Sequence, residues 1–308
     1  MSMRIVFVHQ GKAHLPELRA YASFFAQQGY EVVDVQYKDL MGMDRDFVKE
    51  SILWYFMGFY HGKMTAKFII HDYRSLSTGR FPHLKDYVKK YINHKPDLRV
   101  FLNEKVQQRL SFGDRLPYCL IDMGLPKYIA NYREISEPKQ FDFVYSGVVS
   151  RDRDLDKVIE SFIKAYGKTR TLLLIGRYEE SIKRQFEGYE NIIFYGQVEQ
   201  SEVFKLIQSA EYALCIFPCR YPHLLQTPTK LIEYLALGAK IIANPNPMVI
   251  EILKRSGNMS KVFLMDNRYC FPPVEALIRL KSAFLNVEDY LWDKVIKRSG
   301  ILDWLKKV

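Results

Sequence analysis

The chain has 308 residues, 48% of them hydrophobic and 26% charged, with a net charge of +10. That length suits two ordinary domains, and that composition buries a core in each, which excludes a disordered or fibrous chain. The positive charge favours phosphate-bearing partners, but no basic run exceeds a pair and no nucleic-acid-binding motif occurs, so no nucleic-acid partner is expected.

Met3 to His9 reads as a short, fully buried parallel strand, stopped by Gln10-Gly11. No small-residue cleavage site follows it, so a signal peptide is not expected. Pro16 to Gln28 carries a helical apolar face, Gly29 closes it, and Glu31 to Gln36 returns as a strand, making one βαβ unit. Ser51 to Met64 is the longest apolar-rich stretch, shorter than the roughly 20 residues of a bilayer span. Within it, Ile52 to Lys63 packs aromatic and basic residues together; it reads first as a helix buried against the sheet, and second as a membrane or lipid contact. Ala66 to Ile70, ending at His71-Asp72, and Leu98 to Leu102 are further strands.

The polar stretch Tyr132 to Gln140 is the linker candidate. Beyond it strands and helices alternate: Phe141 to Tyr145, Leu155 to Tyr166, Thr171 to Ile175, Ser181 to Phe186, Ile192 to Tyr195, Ser201 to Ser209, Tyr212 to Phe217, Pro228 to Leu237 and Lys240 to Ala243. Glu275 to Val308 reads as amphipathic helix broken near Asn286 and Gly300. The expected fold is α/β, two doubly wound Rossmann-like domains facing across a cleft. Residues 1–137 form the first, 138–285 the second, and the helix 286–308 packs back on the first. Four scattered cysteines (Cys119, Cys215, Cys219, Cys270) lack the paired spacing of a zinc site and suit a reducing compartment.

The segment Gln226 to Gly238 holds the most chemistry. Thr227 stands where an N-cap belongs and Pro228 at the first helical position. The free N–H groups of that turn and the helix dipole favour an anion, and Lys230 adds a full charge. Glu233, three residues on, shares the face and is placed to accept from ribose hydroxyls; equally, Lys230 and Glu233 suit a plain surface pair worth about 0.2–0.5 kcal/mol.

This segment resembles the donor-site helix of family 4 glycosyltransferases of the GT-B fold, in which Pro-x-Lys-x-x-Glu-Tyr-x-Ala-x-Gly is a frequent variant. Phe143-Val144-Tyr145-Ser146-Gly147, Leu172 to Gly176, Ile193 to Val198 and Ser209 to Pro218 resemble its other landmarks, in the right order. The resemblance is good over residues 141–255 and diffuse over 1–135. It implies a nucleotide-sugar-dependent glycosyltransferase, with Glu233 on the ribose, Arg153 on the diphosphate, and Gln197, Val198 and Arg177 at the base. The turn glycines Gly147 and Gly176, with Thr227 and Lys230, complete the donor side. In the first domain, Gly11 matches a glycine that lets backbone approach the donor, and His71 a histidine near the transferred sugar. Read without the resemblance, Arg151 and Arg153 fit a surface ion network with Asp152, Asp154 and Asp156. His71 likewise fits a strand-end hydrogen bond, and Gly11 an ordinary turn.

Two positions depart from the family: Val148 replaces the usual arginine after the first-strand glycine, and Leu225 replaces a glutamate eight residues before the ribose-binding one. The first shifts the diphosphate onto Arg153, Lys230 and helix N–H groups, while His223 and Gln226 are candidates for the lost sugar contact. The resemblance implies retention of anomeric configuration. No Asp-x-Asp-like pair stands at a strand end, so no metal or other cofactor is expected. The partners implied are a nucleoside-diphosphate sugar and a glycan or lipid-linked acceptor, with a cytoplasmic location and peripheral contact at an anionic inner membrane face. Alternatives are a GT-B sugar-nucleotide epimerase and a catalytically lapsed sugar-binding or scaffold protein.

Overall fold

The computed structural model of the protein describes residues 3–11, 15–56, 58–60, 62, 64–133 and 138–308. The described chain clusters into two compact units. One comprises Met1–Pro126, Leu225–Thr227 and Glu288–Val308; the other Lys127–Leu224 and Pro228–Val287.

The first unit is built on a six-stranded sheet of β1 (Arg4–His9), β2 (Glu31–Gln36), β3 (Ile52–Phe56), β4 (Phe68–Tyr73), β5 (Leu98–Phe101) and β6 (Tyr118–Leu120). The strand order is β2-β1-β3-β4-β5-β6, and every pairing is parallel. Both faces are covered, which is why β1 and β3 read as unbroken apolar runs rather than alternating ones. On one face Phe7, Trp54 and Ile70 pack with Tyr21, Phe24 and Phe25 of the helix Pro16–Gln27. On the other, Val8, Leu53, Tyr55 and Ile69 pack with Leu40, Val48 and Tyr60.

The aromatic segment from Ile52 is buried as expected, but as strand β3 and not as a helix. Its neighbours β1 and β4 pair with it residue by residue, which satisfies its backbone and sets all five residues in the core. His61 and Lys63, from the same stretch, lie outside the described residues. The C-terminal segment, expected as helix broken near Asn286 and Gly300, breaks there and further: it is four short pieces, Val274–Leu277, Val287–Tyr290, Trp292–Arg298 and Ile301–Leu305. Trp292, Val295, Ile296, Ile301 and Leu305 complete the core around Tyr21 and Trp54.

The second unit holds β7 (Phe141–Ser146), β8 (Leu172–Ile175), β9 (Ile192–Gly196), β10 (Ala210–Cys215), β11 (Lys240–Ala243) and β12 (Phe263–Leu264), in the order β12-β11-β10-β7-β8-β9. Numbered within the unit, this is the 3-2-1-4-5-6 order of dinucleotide-binding sheets. The helix Leu155–Tyr166 buries Leu155, Val158, Ile159, Phe162 and Tyr166, a stripe at helical spacing, against Phe143 and Leu172.

Candidate functional site

In a sheet of this order, ligands bind outside the carboxyl ends of the two strands where the winding reverses, here β7 and β10. Gly147 follows β7 with φ 134°, and Gly176 follows β8 with φ 125°. A Cβ on Gly176 would stand 2.3 Å from the Gly147 carbonyl oxygen, so the two turns approach as only glycine permits. The floor of the site is therefore bare backbone.

Lys230 lies in the first turn of the helix Thr229–Leu237 and turns inward, only 7% exposed. Its Nζ sits 3.7 Å from the centroid of the Tyr145 ring and 3.5 Å from the Ile216 carbonyl oxygen. It also reaches Gly147, where a Cβ would lie 3.1 Å from Nζ. Among the described residues no carboxylate pairs with it. Burial lowers its pKa, Tyr145 opposes that, and the charge of Arg153 lowers it further. Tyr145 is the counterpart: burial raises its phenol, but Lys230 and Arg153 outweigh burial and hold it below the ordinary value.

Arg153 ends the short turn Arg151–Arg153. Two of the three acidic neighbours are taken by others: Arg151 pairs with Asp156 at 2.9 Å, while Asp154 holds Lys157 at 2.9 Å and Arg220 at 2.6 Å. Among the described residues Arg153 itself has no carboxylate partner, and its charge acts on Tyr145, Lys230 and His223. His223 is 9% exposed, rests on the Phe217 ring at 4.9 Å, and leaves its Nδ1 without a partner. Burial, then Arg153 and Lys230, push its pKa down to about 4, so it is neutral. Tyr145 and Ser146 escape sequence reasoning because an aromatic strand end reads as core. Their signal is position: they precede the glycine at which the site opens, and the Tyr234 hydroxyl accepts from the Ser146 N–H at 2.9 Å.

The other donor-side candidates lie in the same unit. Arg177 Nε donates to Gln197 Oε1 at 2.7 Å, joining the two residues assigned to the base, with Val198 next in the chain. Glu233 accepts from Gln200 Nε2 at 2.8 Å, and Gln200 Oε1 accepts from the Tyr128 hydroxyl at 2.9 Å. Burial pushes the Glu233 carboxyl up to about 7, against the Gln200 bond and the Lys230 charge. Lys230 and Glu233 do not form the surface pair: one points to Tyr145, the other to Gln200.

Thr227 is not the N-cap. The helix starts at Thr229 with Pro228 in the cap position and no side-chain cap bond. The Thr227 hydroxyl instead accepts from Asn103 Nδ2 at 3.2 Å, which also donates to the Leu225 carbonyl at 3.0 Å. In the first unit, Gly11 (φ 71°) follows β1 and donates its N–H to His9 Nδ1 at 2.9 Å. His71 is 1% exposed within β4, its ring 4.9 Å from His94 and 5.8 Å from Tyr55. Neither of its nitrogens has a protein partner, and burial first, then His94 and Arg99, hold it neutral.

Among the described residues no three His, Cys, Asp or Glu side chains are grouped to hold a metal, all four cysteines are free, and no helix is long and apolar enough to cross a membrane. An open depression of about 700 Å³ lined by Lys157, Ser161, Arg220, Arg268 and Tyr269 contains none of the candidate residues above.

Residues 140–279 match the family described as Glycosyl transferases group 1. No curated protein matches the sequence. Among solved structures, HepE of Anabaena in complex with UDP and glucose is similar with a TM-score of 0.71 at 11% identity, covering 99% of this chain and 100% of that one. A glycosyltransferase of Rickettsia africae gives 0.59 at 11%, covering 99% and 96%. A putative UDP-N-acetylglucosamine 2-epimerase of Listeria monocytogenes gives 0.53 at 8%, covering 100% and 98%. Residues 140–279 thus match a glycosyltransferase family domain, and the two Rossmann-like units share the fold of these solved structures.

Proposed function

We propose that the protein is a retaining, metal-independent glycosyltransferase that moves a sugar from a nucleoside-diphosphate sugar to a glycan or lipid-linked acceptor, in cell-surface polysaccharide or glycolipid assembly. One observation carries the reading: Lys230, beside Gly147 at the switch point, and Arg153 are two cations without carboxylate partners among the described residues, and their charges act on one another. A desolvated cation with no counter-ion favours an anion strongly, and a diphosphate supplies two phosphates to two cations. Departure of the nucleoside diphosphate builds charge on the leaving oxygens, which Lys230, Arg153 and the first N–H groups of the helix Thr229–Leu237 stabilise. Lys230 takes over the charge that Val148 lacks. His223, two residues before Leu225 and with a free Nδ1, is the group that hydrogen-bonds a sugar hydroxyl in its place. Glu233 holds the ribose, and the leaving phosphate takes the acceptor proton. The protein works in the cytoplasm, at the periphery of an anionic membrane.

The test is thermal stabilisation by a panel of nucleoside diphosphates and their sugar conjugates, with a chelator present, on wild type and Glu233→Ala. HepE was solved with UDP, so uridine leads the panel. A shift of several degrees for one base, lost in the variant, is expected; no shift with any of them overturns the donor site. The positions Val148 and Leu225 favour one second reading, a lapsed enzyme, which stabilisation without transfer or hydrolysis would establish instead.

A further inference from the structure

The helix Pro82–Ile92 is turned inside out. Leu84, Tyr87 and Tyr91 form one stripe at helical spacing, and each is 60–62% exposed. Phe81, just before the helix, is 61% exposed, and Ile92 at its end 54%. The charged residues Asp86 and Lys89 face the protein: Asp86 is 4% exposed and accepts from the Ser77 N–H at 2.8 Å, with Lys89 Nζ 3.9 Å away. An amphipathic helix that only packed on its own sheet would show the opposite polarity. Five of the twelve large hydrophobic side chains exposed among the described residues fall within these twelve positions, so the patch is concentrated and not scattered.

Charge decides what covers it. Residues 80–95 carry five basic side chains, Arg80, Lys85, Lys89, Lys90 and Lys95, against the single acid Asp86. Arg80 lies 5.1 Å from the Phe81 ring and Lys90 Nζ 5.6 Å from the Tyr91 ring, so cations flank the aromatic stripe. Tyrosine and phenylalanine with lysine and arginine around them are the composition of a surface that rests among lipid headgroups, rings at the acyl boundary and cations on phosphates. A two-fold contact with a second copy of the chain would bring two basic surfaces together here.

We propose that the face made by Phe81, Leu84, Tyr87, Tyr91 and Ile92, ringed by Arg80, Lys85 and Lys90, docks the protein on an anionic lipid bilayer. This gives the peripheral membrane contact a place on the first unit, and it stands whether or not the donor reading holds. The experiment is co-sedimentation of the full chain with vesicles of phosphatidylcholine alone and of phosphatidylcholine with an equal part of phosphatidylglycerol. The variants are Leu84→Ser/Tyr87→Ser/Tyr91→Ser and Arg80→Ser/Lys85→Ser. Wild type is expected on the anionic vesicles and not the neutral ones, and the paired basic variant weakens binding about thirtyfold. The triple variant, which removes no buried side chain, keeps its melting temperature and its stabilisation by nucleoside diphosphate but loses the vesicles. Anionic-vesicle binding unchanged in the triple variant overturns the proposal. So does its absence in wild type, whether alone or with self-association or binding to generic DNA that the triple variant abolishes.

Discussion

Lys230 gives up most of its hydration to stand over the Tyr145 ring, where a desolvated cation–π contact contributes about 2 kcal/mol. An arriving diphosphate completes its shell. Lys230→Ala is therefore expected to weaken nucleoside-diphosphate binding by about ten- to a hundredfold, the range of a charge-assisted bond, as calorimetric titration would record. Unchanged affinity would place the diphosphate elsewhere. Glu233 supplies the pH dependence. Its carboxyl is raised to about 7, so the folded state holds its proton where the unfolded chain has released it. Stability contributed by that proton is present at low pH and lost as pH rises through about 7. Ribose binding needs the carboxylate, so donor affinity runs the other way, rising towards pH 7 and levelling above it; Glu233→Gln flattens both curves. His71 offers a sharper separation. Its two buried nitrogens lack partners, so His71→Phe is expected to hold or raise the melting temperature. If His71 serves the transferred sugar, the same variant loses turnover.

At the scale of elements, the second sheet was legible because its strands are short apolar runs, three of which (β7, β8 and β9) end at a glycine, as the close turns Gly147 and Gly176 require. Gly176→Ala drives a methyl into the Gly147 carbonyl at a φ of 125° that side chains rarely adopt. We expect it to lower the melting temperature of the second unit by about 4–12 degrees, for about 2–3 kcal/mol of strain and clash. Less was legible elsewhere, for stated physical reasons. Ile52 to Phe56 has no alternation to distinguish strand from helix, since both its faces are buried. The cap at Thr227 failed because Asn103, distant in sequence, claims the hydroxyl. Tyr145 became visible only once the fold set it under Lys230, whereas His223 was already a candidate from its place beside Leu225. The helix Pro82–Ile92 escaped because its outward apolar face carries no sign in the sequence of which way it turns.

At the scale of the molecule, residues 288–308 belong to the first unit's core through Trp292, Ile296, Ile301 and Leu305. Each such burial contributes about 1.5–3 kcal/mol, so together they match the whole stability of an ordinary domain. A chain ending at Val287 is expected to lose the first unit's thermal transition and keep the second's. Calorimetry separates the two, and a single unchanged transition would refute the assignment.

That assignment also orders events at the ribosome. The first 126 residues emerge early, but the side chains that close their core are made more than 160 residues later, a delay of roughly ten to thirty seconds at ordinary rates of synthesis. Over that interval the second unit, contiguous but for one three-residue excursion, has all its strands in hand. Birth order and completion order are therefore reversed, and the nascent first unit waits with Tyr21 and Trp54 uncovered by Trp292 and its neighbours, apolar surface of the kind that favours aggregation.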